Sequence, residues 1–273
     1  MQPAVFKRFA RLAYDKAGIA IKPEKVALVH ARVAKRLRAL SLESAESYID
    51  YLEADQSGEE LTRFLDLIST HFTSFFREKD HFDLLEDEAR RWATEGRKRV
   101  RIWSAACSTG EEPYSMAMAL LDVPGLADVD WRILATDIAA GTLDEARAGR
   151  YPLGRVEPVP APKRKRFLVA APGSGGALFE VAPAVRQRVA FRKLNLAAPP
   201  YPMGGPIDAI FCRNVLIYFD QPTRERLVRE IERLAAPGGL VCIGHTETLS
   251  GVKSRLRMVR PSVFRRVDDG GHA

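Results

Sequence analysis

Apolar residues recur at helical spacing through the first 75 residues. Pro23 stands where the first turn of a helix tolerates it, and Val26, Leu28, Val29, Val33 and Leu37 follow on one face. Arg32, Lys35, Arg36 and Arg38 fall largely off that face. Ser44 is placed to cap a further helix carrying Tyr48, Ile49, Tyr51 and Leu52, and Leu61, Phe64, Leu65 and Ile68 mark another. The pattern predicts an all-helical domain with its linker over residues 1–75.

From about residue 98 the pattern changes. Val100–Trp103 reads as a strand and runs into the small residues 104–110, after which Glu111-Glu112-Pro113-Tyr114 opens a helix through Met116, Ala119 and Leu120. Trp131–Ala135 reads as a second strand ending at Thr136-Asp137, and a helix follows near Ala139–Ala148. Ile207–Cys212 leads to Arg213-Asn214, Pro222–Ala235 is helical, and Gly238-Gly239 turns the chain into the strand Leu240–Gly244. Arg257–Val259 and Val263–Val267 flank Pro261 as a closing antiparallel hairpin. Alternating strands and helices predict an α/β fold with a doubly wound, mostly parallel sheet over residues 76–273, which binds its ligand beyond the carboxyl ends of the strands.

Residues 152–206 interrupt the alternation. Four prolines precede the basic run Lys163–Arg166, and the turn Pro172–Gly176 separates two short apolar runs, with a third strand-like run at Arg188–Arg192. This predicts a small antiparallel β subdomain, residues 165–193, inserted in the larger domain. An elaborated crossover without function is the plainer alternative.

Composition narrows the class. The chain has 273 residues, enough for one large and one small core. No apolar run approaches the ~20 residues of a membrane span, and residues 1–8 lack a secretion signal's apolar stretch. Cys107, Cys212 and Cys242 are odd in number and widely spaced, which suggests neither disulfides nor a metal site and fits a reducing cytoplasm. The net charge of +7 is concentrated at the start, where residues 1–40 carry ten Lys/Arg against Asp15 and Glu24. Such a surface suits nucleic acid, an anionic membrane or an acidic protein. His30, His81, His245 and His272 show no metal-ligand spacing.

The loop after the first strand carries the most chemistry. Its small residues admit a ligand close to the backbone, but it holds a single glycine, Gly110, and two acids follow directly. A pyrophosphate would meet Glu111 and Glu112 where the helix dipole should attract it, so NAD is disfavoured. S-adenosyl-L-methionine, with a sulfonium and an ammonium, fits better. Ordinary first-turn glutamates are the competing explanation. Asp137 at the end of the second strand is placed to accept ribose hydroxyls, or to cap the next helix.

Phe75-Phe76-Arg77-Glu78, Trp103 through Ser115 (WSAACSTGEEPYS), Ala135-Thr136-Asp137-Ile138, Phe211 through Asp220 (FCRNVLIYFD) and Gly244-His245-Thr246-Glu247 occur in this order. Together they resemble the CheR-type chemotaxis receptor methyltransferases over nearly the whole chain. The resemblance implies a class I methyltransferase sheet with a C-terminal antiparallel hairpin, plus the helical domain and the β insertion. It implies that Thr73 and Arg77 reach the cofactor from the linker, with Arg77 on the methionine carboxylate. Glu111 would face the methionine end, Asp137 the ribose, and Asn195-Leu196 the adenine. Arg213-Asn214 would close the site. His71 stands where the family usually has Asn, and imidazole does not reproduce both amide roles. Tyr218, within an apolar run, reads as core, and His245 as structural.

The implied reaction transfers a methyl group to glutamate side chains on the cytoplasmic domain of chemotaxis receptors, leaving S-adenosyl-L-homocysteine. A glutamate has pKa ~4.3 and is already ionised, so neither a general base nor a metal is required. Lys25, Arg32, Lys35, Arg36 and Arg38 would steer the acidic receptor toward the cleft, unless they form only a solvated helix face. The β insertion would dock a receptor's C-terminal peptide, as it does in some family members. Two alternatives remain: a nucleic-acid methyltransferase, although Arg213-Asn214-Val215-Leu216 stands where Asp/Asn-Pro-Pro-aromatic is common, and a signalling module that binds the cofactor without catalysis.

Overall fold

A computed structural model of the chain describes residues 1–68 and 72–267. The N-terminal helices are α1 (Pro3–Ala17), α2 (Val26–Leu40), α3 (Ala45–Ala54) and α4 (Glu59–Ile68). Pro3 costs α1 nothing, because the first-turn N–H groups lack helical acceptors anyway. Ser44 caps α3 reciprocally: its hydroxyl accepts the Ser47 N–H at 3.0 Å, and Ser47 Oγ accepts the Ser44 N–H at 3.2 Å. Phe9, Val33, Tyr48, Ile49 and Phe64 are fully buried between these helices. Inside that core Arg36 binds Glu60 through two hydrogen bonds of 2.8 and 2.7 Å, and Tyr48 donates to the same carboxylate at 2.8 Å.

The second domain opens with α5 (Asp80–Thr94), in a stretch to which the sequence pattern assigned no element. Then follow β1 (Arg99–Ser104), α6 (Glu111–Leu121), β2 (Asp130–Asp137), α7 (Ala140–Ala148) and β3 (Arg150–Pro152). The short helices α8 (Leu153–Val156) and α9 (Ala161–Phe167) lead to β4 (Leu168–Ala170), β5 (Leu178–Val181), α10 (Pro183–Arg186) and β6 (Val189–Lys193). The chain closes with β7 (Ile207–Phe211), α11 (Gln221–Leu234), β8 (Ala235–Cys242), β9 (Leu256–Arg260) and β10 (Val263–Arg266).

The main sheet has the order β6-β2-β1-β7-β8-β10-β9. Its first five strands pair in parallel, and β10 is antiparallel to both β8 and β9, the expected closing hairpin. The chain moves outward from β1 through β2 to β6, then returns to the other side of β1 at β7. The crevice between the carboxyl ends of β1 and β7 is therefore the topological switch point, where such sheets bind ligands. Class I methyltransferases share this mostly parallel sheet with its antiparallel end.

One assignment changes. The run 188–192 belongs to β6, the parallel edge strand beside β2, with Ile133 opposite Val189 and Asp137 opposite Lys193. Its Phe191 packs edge-on against Tyr114 of α6. The inserted sheet consists of β3, β5 and β4 in that spatial order, all antiparallel, so it begins at Arg150 and ends at Val181. Alternating apolar residues mark a strand but not its partner, so the sequence could not separate the two sheets. Phe75 and Phe76 pack into the core of the sheet domain, against Tyr151 and Phe82.

Candidate active site

The carboxyl ends of β1, β2 and β7 open into a cleft of about 890 Å³, counting solvent at its mouth. Ala105, Ala106 and Ser108 line it from the sheet. Both domains contribute, with Ala17 and Ile19 from the helical side and Phe72–Ser74 from the linker.

The loop after β1 is pinned from several sides. Ala105 N–H donates to Phe211 O and Cys107 N–H to Thr136 O, each at 2.8 Å. Trp103 Nε1–H donates to Thr136 Oγ1, whose own hydroxyl donates to Ala105 O, each at 2.9 Å. Gly110 closes the loop with φ +95°, where an added Cβ would lie 2.9 Å from both Ala146 Cβ and the Tyr151 hydroxyl. Only glycine meets both demands.

Asp137 lines the cleft at the end of β2. Its Oδ2 accepts the Ser108 N–H at 2.8 Å and its Oδ1 the Ala139 N–H at 3.0 Å. The carboxylate thus caps the following chain and faces the cleft together, so the two roles read from sequence are compatible.

The two glutamates at the start of α6 diverge. Glu111, expected at the methionine end, does not line the cleft; it is buried against Thr109, which donates at 2.8 Å, and Arg155. Glu112 lines the cleft instead, accepting from Ser104 Oγ at 2.7 Å and Arg213 Nη1 at 2.8 Å. Successive helical residues point about 100° apart, so one of a tandem pair faces the ligand, and the sequence does not say which. Burial pushes the Glu112 carboxyl above its ordinary pKa despite Arg213.

Arg213 is buried at the centre of a brace. Its Nη2 reaches Glu78 Oε2 at 2.9 Å and Arg77 O at 2.5 Å, while Nη1 holds Glu112. The fork expected to help close the site therefore ties linker, β7 and α6 together. At Glu78, burial works to raise the carboxyl's pKa, but Arg213 wins and holds it below the ordinary value. Asn214 adopts φ +56°, and its N–H donates to Glu247 Oε2 at 2.8 Å. Gly244 N–H donates to the same oxygen at 2.6 Å. A Cβ at Gly244 would collide with the Asn214 amide and Glu247.

Asn195 and Leu196 line the opposite wall, but the Asn195 side chain is committed: it donates to Lys16 O at 2.8 Å and accepts the Ala197 N–H at 3.0 Å. It fastens the end of α1 to the sheet domain. Thr73 lines the linker wall, and Arg77 lies at the mouth, donating to Phe72 O at 2.8 Å and stacked over the Phe72 ring. His71 lies outside the described residues. Tyr218 is a correction: it lines the cleft instead of filling the core. The run 216–218 forms a single turn of 3-10 helix, which splays side chains that a strand would have alternated.

The steering residues also divide. Lys25, Lys35 and Arg38 are exposed, and Arg32 donates to Leu67 O at 2.8 Å. Arg36 is turned inward onto Glu60 and is not a surface charge. Its place beside the apolar face of α2, together with a buried acid on α4, explains the difference.

His81 is fully buried. Burial, reinforced by the Arg213 charge, pushes its pKa down to about 4 from 6.5. Between those values the unfolded chain binds a proton that the folded chain refuses, so stability rises with pH across that window. Acidification from about pH 6.5 to 4 should cost up to ~3 kcal/mol from this group. Urea unfolding across that range in chelator-treated buffer should show a shallower slope for His81→Gln than for the native chain.

Two family models cover the chain. The all-alpha domain of CheR methyltransferases matches residues 4–69, and their SAM-binding domain matches residues 71–264. The chain belongs to the CheR methyltransferase family. Chemotaxis protein methyltransferase 2 of Pseudomonas aeruginosa is 42% identical over 259 residues, covering 95% of this chain and 91% of that one. The chemotaxis protein methyltransferase of Escherichia coli K12 is 39% identical over 264 residues, covering 97% and 91%. That of Borreliella burgdorferi is 35% identical over 266 residues, covering 95% and 93%. This CheR-family chain is a methyltransferase dependent on S-adenosylmethionine. None of these relatives is named for nucleic acid or for binding without catalysis. Among the described residues no helix is long and apolar enough to cross a membrane.

The cleft fits the cofactor's chemistry. A carboxylate, Asp137, lines it at the end of β2, where such sheets hold a ribose diol, and a second acid, Glu112, lines it as well. Leu194, Leu196 and Ile138 offer apolar surface to a base.

Proposed function

We propose that this protein transfers the methyl group of S-adenosylmethionine to glutamate side chains on the cytoplasmic helices of chemotaxis receptors. The observation that carries the reading is the continuity of the cofactor cleft with a second groove. Ile19 and Tyr218 line both, and the groove runs on between α2 and the 216–218 turn. Its surface is apolar at Ile21, Leu28, Val29 and Ile217 and basic at Lys22, Lys25 and Arg32. Leu28 and Ile217 are exposed. An amphipathic helix bearing glutamates matches that combination.

Bound cofactor supplies a methyl group made electrophilic by the sulfonium. The protein's own residues do the rest. Asp137, Glu112, Arg77 and Thr73 hold and orient the donor, while Asn195 and Leu196 flank its base. The Arg213–Glu78–Glu112 brace fixes the linker over the cleft. The receptor glutamate needs no base, since it is ionised at neutral pH. Anion and cation neutralise each other in the transition state, so alignment and exclusion of water supply the acceleration.

Incubation with methyl-labelled cofactor and receptor-bearing membranes should place alkali-labile label on the receptor. Label on nucleic acid, or none on a receptor that a relative from the same organism methylates, would refute the reading. Reversing the charge at Lys25, Lys35 and Arg38 together should slow receptor methylation about tenfold or more at low salt and leave cofactor affinity unchanged. Equal rates at low salt would remove the steering role. The edge strand β4 exposes Val169 and offers main-chain groups to a receptor's C-terminal peptide. Titration with that peptide should show saturable binding, abolished by Ala170→Pro, since the Ala170 N–H faces away from β5.

A further inference from the structure

We propose that Glu78, His81 and His245 form a binding site for a divalent transition metal of the zinc class, built behind the cofactor cleft. One ligand atom from each lies within 4.8 Å of the other two. The linker, the first turn of α5 and the segment after β8 bring them together.

The hydrogen bonds fix the state of the buried ring. His81 Nε2 lies 2.9 Å from Ser262 Oγ, and the Ser262 hydroxyl donates its proton to Pro261 O at 2.6 Å. A hydroxyl has one proton to give, so Ser262 accepts from His81 and the ring carries its hydrogen on Nε2. Nδ1 then presents a bare lone pair. It is buried without a hydrogen-bond partner and faces Glu78 Oε2 at 3.6 Å. Arg213 Nη2 already holds Glu78 Oε2 at 2.9 Å, but nothing occupies the Nδ1 lone pair, and a second cation between the two atoms would use both.

A metal ion meets the demand. Tetrahedral zinc with ligands at ~2.0–2.2 Å places them roughly 3.3–3.6 Å apart, the separation Glu78 and His81 already have. His245 needs a shift of about 1 Å to close the same geometry, and its half-exposed ring has room to make it. Asp80, 3.1 Å from His245 Nε2, can orient that ring or complete the coordination. Arg213 is near, but Glu78, Glu112 and Asp80 outnumber it. A shallow cavity lined by Asp80, Leu84, His245, Arg260 and Ser262 leads to solvent. Transfer of the methyl group does not use this metal; the link to the cleft is Glu78, which also holds Arg213.

The test is zinc titration of the full chain at neutral pH against a chromophoric chelator, with thermal unfolding read in parallel. The native chain should bind one zinc and unfold at a higher temperature with it. His245→Ala and Ser262→Ala should each weaken zinc at least tenfold and reduce the thermal shift. A native chain that takes no zinc at micromolar concentration, or a His245→Ala chain that binds it equally, would overturn the site. The second outcome would assign the metal to Cys107, Cys212, Cys242 or the surface.

Discussion

Asp137→Ala should lower the affinity for S-adenosylhomocysteine by about 100-fold or more. The carboxylate lines the cleft at the end of β2 and is aimed by two backbone N–H groups, from Ser108 and Ala139. Hydrogen bonds to a charged group contribute ~1.5–3 kcal/mol each, and a ribose offers two hydroxyls. Asp137→Asn keeps the shape and one acceptor but loses the charge, so it should fall between. Calorimetric titration measures both. Some stability is lost as well, on the order of 1 kcal/mol, because Asp137 also caps the following chain. An alanine variant that binds the product as well as the native chain would remove the ribose role.

Arg213→Met should destabilise the sheet domain by about 3–5 kcal/mol. Removing one partner of a buried ion pair leaves the other uncompensated, and here two carboxylates, Glu78 and Glu112, lose their shared cation. The sign of the pH dependence follows. Without Arg213, burial pushes both carboxyls upward, so the variant takes up protons on folding and its deficit shrinks toward acid pH. Denaturant unfolding at pH 5 and pH 8 should show the smaller gap at pH 5. A loss under ~1 kcal/mol at pH 8 would mean the brace contributes little.

Much of this was legible in the chain. The alternation of strands and helices from Val100 onward placed the sheet, and Ser44, Pro23 and Gly110 marked their turns and caps. Asp137, Arg213 and Asn214 follow strands, where ligands bind, and all three line the cleft. What stayed hidden depends on facing and on distant partners. Glu111 and Glu112 are chemically identical, and only the rotation of α6 chooses between them. Arg36 reads as a surface charge until Glu60, on another helix, is seen to pair with it. Tyr218 reads as core until its turn is known. Val189–Lys193 could join either sheet, because its partner β2 lies about fifty residues earlier. His81 and His245 are separated by most of the sheet domain, so no spacing rule could join them with Glu78.

The account rests on a cationic methyl donor held at the switch point between β1 and β7. A crystal structure of the chain with S-adenosylhomocysteine tests it most directly. It should show one molecule per chain with its ribose on Asp137, its base against Ile138 and Leu196, and its amino-acid end near Glu112 and Arg77. A product bound elsewhere, or a cleft filled by Phe72 and the linker at saturating product, would contradict it.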